Sequence, residues 1–238
     1  MAAALATLAA LGCAAPDRGR AYDVAYAAGE AAVGAGRFAE GAARFDDAAK
    51  GAKIPRDADH ARYLAARALE RAGDLPGAAA RLRAIADASP PLEDSAEAAY
   101  ELCEMQIVRG DDAGWSALLD MARRFPTSAA ARRALRRAIA HQDERDGARA
   151  TLAFLQGLAP ALEQTDLAET VAYEIALHLA TLGEDARARD AFVAMAGRWR
   201  YPHGAFWDDA LFRASEIDEK LGRYHDAVQD LSQMLSER

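Results

Sequence analysis

The chain has 238 residues, of which 52% are apolar and 7% aromatic, and it carries a net charge of −8. That balance argues against a general nucleic-acid binder, which leans on a basic surface, and no internal run of 18 or more apolar residues is present to span a bilayer. Alanine dominates and strand-like alternation of β-branched residues is nearly absent, so the composition points to an all-α protein.

The first segment, Met1 to Pro16, is an apolar run that ends in Leu11-Gly12-Cys13, with polar residues beginning at Asp17. It is too short to cross a membrane but matches the apolar core of a secretory signal. Small residues directly before Cys13 resemble the lipobox of bacterial lipoproteins. That resemblance implies a signal peptide over 1–12, cleavage before Cys13, and a lipidated linker over 13–21, anchored by acyl chains on Cys13. The segment departs from the family pattern at Ala10, where leucine is usual, and has no Lys or Arg before Cys13. The same residues also fit an alanine-rich helix start or tail with an incidental cysteine. The second cysteine, Cys103, falls among helical apolar positions and is expected to be a small core residue.

From Tyr22 onward the chain breaks into helix pairs. Tyr22–Ala35 and Ala39–Lys50 flank a turn at Gly36-Arg37-Phe38, with Pro55 closing the unit. Ala61–Ala72 leads through Gly73 to Ala78, Leu82 and Ile85, closing at Pro90. The third pair runs from Ala96 through Gly110 to Trp115, Leu119 and Ala122, closing at Pro126. The fourth is less regular: helix over Ala129–Ile139, a charged turn over Asp143–Asp146 with no glycine near Gln142, then Ala148, Leu152 and Leu155 before Pro160. The fifth carries Val171–Leu182, Gly183, Ala188, Phe192 and Met195, closing at Pro202. In the last, Leu211, Ala214, Ile217 and Leu221 precede Gly222, and Tyr224, Ala227, Val228, Leu231 and Met234 form a second stripe. Gly36, Gly73 and Gly110 recur every 37 residues. A helix pair cannot bury both of its stripes alone, so these units are expected to stack, and the last pair to expose an apolar face unless a further segment or partner covers it.

These residues resemble the tetratricopeptide repeat (TPR), with its Gly-x-aromatic turn, small helix residues and late proline. Gly36-Arg37-Phe38 and Gly222-Arg223-Tyr224-His225-Asp226-Ala227 match best. The resemblance covers residues 22–238 and implies an α-solenoid of about six helix-turn-helix repeats. Trp115 and Gly41 depart from it, standing where the second helix usually has alanine. More narrowly, Arg200-Tyr201-Pro202, Asp209-Ala210-Leu211-Phe212 and Lys220-Leu221-Gly222 look like phrases of Gram-negative envelope TPR lipoproteins, BamD-like or CpoB/YbgF-like.

Aligning the units places Tyr26, Tyr63, Tyr100, Tyr173 and Phe212 at one position of the first helix. They form either an aromatic ladder for an extended peptide or packing between helices. The fourth unit replaces this with Arg132, Arg133, Arg136 and Arg137, whose pairs one turn apart suit a carboxylate, an acidic peptide or lipid headgroups, or form a solvated face balanced by neighbouring acids. Glu174 and His178 have helical ligand spacing without a third ligand. His141 and His225 lie near predicted turns, and Trp199, Tyr201, Phe206 and Trp207 are expected to fill the junction of the last two pairs. HExxH, CxxC, GxSxG and phosphate-loop motifs are missing from the sequence.

The expectation is therefore a non-catalytic protein–protein scaffold without cofactor, metal, nucleic acid or small-molecule substrate. The resemblance implies partners in a multi-subunit envelope complex and a lipid anchor at the periplasmic face of the outer membrane. The alternatives are an unanchored regulatory TPR module, periplasmic or cytoplasmic, and the helical accessory part of a cell-wall enzyme.

Overall fold

The computed structural model describes residues 17–237, and their regular structure is entirely helical. Cys13 and the signal-like segment lie outside the described residues. The helices are α1 (Arg20–Gly34), α2 (Phe38–Gly51), α3 (Pro55–Arg71), α4 (Leu75–Ala86), α5 (Ser95–Val108), α6 (Ala113–Arg124), α7 (Ala129–Leu162), α8 (Ala168–Thr181), α9 (Asp185–Arg198), α10 (Trp207–Lys220) and α11 (Tyr224–Ser236). The chain divides into two compact units between Ser95 and Ala96. Within each, helices pack on their neighbours in sequence, the all-α, solenoid-like arrangement of a helical repeat. Among the described residues no helix is long and apolar enough to cross a membrane.

One turn joins most pairs. At the end of α1, Gly36 N–H donates to Val33 O at 3.0 Å and Arg37 N–H to Ala32 O at 2.9 Å. This 5→2 and 6→1 pairing satisfies carbonyls that a helix end leaves open, and it requires a residue with positive φ between them. The same pair of bonds recurs at Gly73, Gly110, Gly183 and Gly222, each with φ between 73 and 86°.

The fourth pair is built differently. Residues 143–146 are helical, not a turn, and α7 bends instead at Gly147, where φ is 78° and ψ 168°. Gly147 lies 37 residues after Gly110, so the glycine period continues through the unit that seemed to lack it. The intervening segment stays helical with its side chains bound to one another: Gln142 Nε2 donates to Asp146 Oδ2 at 2.6 Å and Arg145 Nη2 to the same oxygen at 2.7 Å.

Two of the prolines do not close their units. Pro55 opens α3 as its first residue, where the missing N–H would have no partner anyway. Pro160 lies within α7, which runs on to Leu162. The helix loses one bond near its end and continues.

In the first unit Tyr22, Ala48, Ala49, Ala58 and Ala61 form one cluster, and Ala42, Phe45, Ala65 and Ala68 a second. Asp17–Gly19, expected as linker, is docked: Arg18 Nε meets Asp57 Oδ2 at 2.6 Å, and Lys53 N–H donates to Arg18 O at 3.1 Å. Small residues let the helices approach. A methyl group at Gly41 would lie 2.5 Å from Val33 Cγ2. In the second unit, one at Gly114 would lie 2.9 Å from Ile107 N and 3.0 Å from Cys103 O, both backbone atoms. Gly114, not Trp115, therefore takes the close-contact slot of the third pair, and Trp115 is free to stack on His141 with centroids 3.7 Å apart. His141 sits inside α7 and not near a turn.

The second unit buries Phe192, Met195, Trp207, Leu211 and Ile217 in one core, with Phe206 and Trp199 packed against it. Of the four junction aromatics Trp207 is thus buried, Trp199 and Phe206 are half-buried against the core, and Tyr201 is 46% exposed. Cys103 is buried and free, and burial pushes its thiol up to about 11. On α11 the expected stripe splits: Ala227 is buried and Leu231 and Met234 are half-buried, but Tyr224 and Val228 stand exposed, as does Leu235 outside the stripe. A charged cluster ties this end together. Arg189 Nε donates to the fully buried Asp218 at 2.9 Å and its Nη2 lies 3.9 Å from Asp230. Burial raises the Asp230 carboxyl above its ordinary range, Asp218 and Asp226 add to the shift, and Arg189 opposes it.

Two outcomes follow from this packing. Gly114→Ala should cost about 1–3 kcal/mol through backbone overpacking, whereas Gly157→Ala, which meets nothing within 4 Å, should gain up to about 1 kcal/mol of helix propensity. Urea unfolding followed by circular dichroism separates them, and a neutral Gly114→Ala would contradict the close contact. Asp230 binds its proton more tightly folded than unfolded. Its contribution is complete below the ordinary aspartate value of about 4 and is lost as pH rises through the raised folded value. Wild type should therefore lose stability relative to Asp230→Asn as pH rises above about 4; a difference independent of pH would refute the raised carboxyl.

Candidate functional site

In the first unit the aligned tyrosines of α1 and α3 meet at one groove of about 480 Å³, lined also by Phe45 and Leu64, with Glu30 and Arg71 among its charged residues. Tyr26 is half-buried, stacked on Tyr22 with centroids 5.3 Å apart and edge-on to Phe45 at 5.5 Å. Tyr63 is 8% exposed and accepts a hydrogen bond from Arg67 at 3.3 Å. The two readings of the ladder are combined here: each ring packs between helices and also lines an open groove.

A second cavity of this unit, about 410 Å³, was not visible in the motifs. Its charges are paired: Arg18 with Asp57, Arg56 with Glu93, and His60 with Asp94 at 3.0 Å. The hydrogen bond from Arg18 holds the Asp57 carboxyl below its usual range. This is how the segment before α1 is fastened, and it leaves little charge for a ligand.

In the second unit Tyr100, Tyr173 and Phe212 have different surroundings. The Tyr100 ring lies under the Arg133 guanidinium, 4.7 Å from its centroid. Tyr173 stacks on Phe206 at 4.5 Å and donates to Asp209, and burial with this acceptor pushes its hydroxyl up to about 12. Phe212 is 45% exposed.

The four arginines of α7 divide by helical face. Arg133 pairs with Glu97 of α5 at 2.5 Å, and Arg137 with Glu104 at 3.1 Å while lying 5.3 Å above the Trp115 ring. Arg137 is 37 residues after Tyr100, so it fills the aromatic slot of the fourth pair. These two bind the neighbouring helix. Arg132 and Arg136, on the other flank, are exposed and form no ion pair with the described residues. They line a cavity of about 620 Å³ whose other walls include Asp166, Glu169, Trp199, His203 and Phe206. Glu169 holds that wall by accepting from Phe206 N at 2.9 Å. Asp166 and His203 had no place in the motif reading; Glu169 and Phe206 were reachable, because Arg132, Glu169 and Phe206 succeed one another at intervals of 37.

Glu174 and His178 stay on α8. His178 Nδ1 contacts Glu174 O at 2.7 Å, and its Nε2 lies 3.6 Å from Asp143. Burial raises the Glu174 carboxyl, with His178 and Arg136 opposing. Among the described residues no group of three His, Cys, Asp or Glu side chains is placed to hold a metal ion. What the two open sites offer is contact chemistry: flat rings in one, unpaired guanidinium groups beside rings in the other. Comparison with protein-family models and with curated proteins finds no match for the chain.

Proposed function

We propose that this protein is a non-catalytic scaffold of the tetratricopeptide-repeat type that holds other proteins on the first helices of its pairs. The observation that carries the reading is the groove at Tyr26 and Tyr63, which is lined by two equivalent rings from successive first helices. Rigid aromatic side chains contribute large contact area at low entropic cost, which suits an extended polypeptide. The Arg132–Arg136 face adds guanidinium groups that form no ion pair with the described residues. The repeated glycine turn at a period near 37 supports the repeat type.

The lipobox-like start supports a second element of the proposal. Cys13 carries acyl chains that hold the scaffold at an envelope membrane, in the manner of the BamD-like and CpoB/YbgF-like lipoproteins it resembles, where it serves a multi-subunit complex.

Affinity purification from the source organism tests the scaffold. Tyr26→Ala with Arg71→Glu, and separately Arg132→Ala with Arg136→Ala, should each reduce the proteins retained while leaving the circular dichroism spectrum unchanged. The arginine variant should also lose the salt sensitivity of retention. Retention unaffected by both would refute the reading. For the anchor, mass spectrometry after expression in a Gram-negative host should find residues 1–12 removed and Cys13 acylated, and neither change in Cys13→Ala. An intact Met1 or a free Cys13 thiol would refute it.

A further inference from the structure

The first and last described helices each keep, uncovered, one half of an interface that the repeat buries inside. Within the first unit α2 packs on α3. The α2 side of that contact is Ala42, Phe45 and Ala49, at most 8% exposed. The α3 side is Ala58, Ala61, Ala65 and Ala68, again at most 8% exposed. Phe45 shares one core cluster with Ala65 and Ala68 of α3, and Ala49 shares another with Ala58 and Ala61, so a large side chain on the second helix of a pair packs beside an alanine surface on the next first helix.

Counting from the turn glycines finds the same positions elsewhere. Gly222 of the last pair corresponds to Gly36, so Val228, Leu231 and Leu235 of α11 correspond to Ala42, Phe45 and Ala49, and Tyr224 to Phe38. Val228 is 62% and Leu235 75% exposed. The same count, 37 residues back from α3, places Ala21, Val24, Ala28 and Ala31 of α1 on the alanine surface. Val24 is 64% exposed, and Ala21 and Ala31 are exposed too. The α11 side has the larger residues and the α1 side the smaller ones, much as Phe45 of α2 meets alanines of α3.

We propose that α11 of one copy packs on α1 of a second copy, extending the repeat head to tail. The charges agree with that register. Arg71, near the end of α3, lies 4.3 Å from the Phe38 ring at the start of α2, so the packed helices run antiparallel. Placed likewise, Arg223 before α11 comes to the end of α1, where Glu30 is exposed, and Glu237 comes to its start, beside exposed Arg20. Neither Arg20 nor Glu30 has an ion-pair partner among the described residues. Because the two faces differ, the contact is heterologous and adds copies until a ring closes or the chain dilutes out. An occupant of another kind would not need the second face.

Sedimentation velocity on the full chain carrying Cys13→Ala tests this. The substitution excludes contributions from acyl chains or a disulfide at that position. Weight-average mass should rise above the 25.4 kDa monomer with concentration. Val228→Glu with Leu235→Glu, on α11, should remain monomeric, and so should Val24→Glu, on α1; all three side chains are exposed, so the fold survives, as circular dichroism would verify. Mixed, the two variants retain one intact face each and should form a dimer that grows no further. Monomer at every concentration overturns the proposal, as does assembly that survives both variants. Loss of assembly in the α11 variant with full assembly in Val24→Glu also overturns it, since that pattern belongs to symmetric pairing of α11 with itself.

Discussion

Two backbone hydrogen bonds at the end of the first helix in a pair are the constraint on which the rest depends. The N–H groups of Gly36 and Arg37 turn back onto Val33 and Ala32, and this reversal recurs at Gly73, Gly110, Gly183 and Gly222. Once the chain is reversed there, the second helix must lie along the first, and the spacing between them is settled by whatever residues face each other. Gly41 and Gly114 sit at such points, where even a methyl group would meet the opposing helix. Close approach buries one stripe of each helix. The other stripes must find the next pair, so the repeat propagates from a local turn through packing and not from any long-range motif.

Much of this was legible in the chain because its signals are local. The glycine period, the apolar stripes and the all-α composition together lead to helix pairs, and helix pairs are what the structure has. The fourth pair shows where local reading fails. Residues 143–146 carry charge like a turn, but Gln142, Arg145 and Asp146 bind one another along a helix, and the bend falls at Gly147. Pro160 departs from its expected closing role for a related reason: a proline near a helix end costs a single hydrogen bond, which the remaining turn can absorb.

The open sites were legible in part. Tyr26 and Tyr63 could be paired by counting, and they do share a groove. The division of the α7 arginines could not be read from α7 alone, since it depends on what neighbouring helices present. Glu97 and Glu104 compensate Arg133 and Arg137, while on the opposite wall Glu169 accepts from Phe206 N, and Arg132 and Arg136 form no ion pair among the described residues. Buried charge is treated differently. Arg189, Asp218 and Asp230 form a cluster inside the last pairs, where loss of one partner would strand another. Arg133 and Arg137 at the surface and Arg189 in the interior thus all hold helices together.

The central claim, that first-helix faces are the recognition surface, is tested most directly by site-specific photo-crosslinking in the source organism. A photoreactive residue would be placed in turn at Tyr26 and Arg136 on first helices, and at Glu40 and Asp190 on second helices; Arg136, Glu40 and Asp190 are exposed, and Tyr26 lines the open groove. The account predicts crosslinks to other proteins at Tyr26 and Arg136 and none at Glu40 or Asp190. Crosslinks confined to the second-helix positions, or none at all from the first-helix positions, would contradict it.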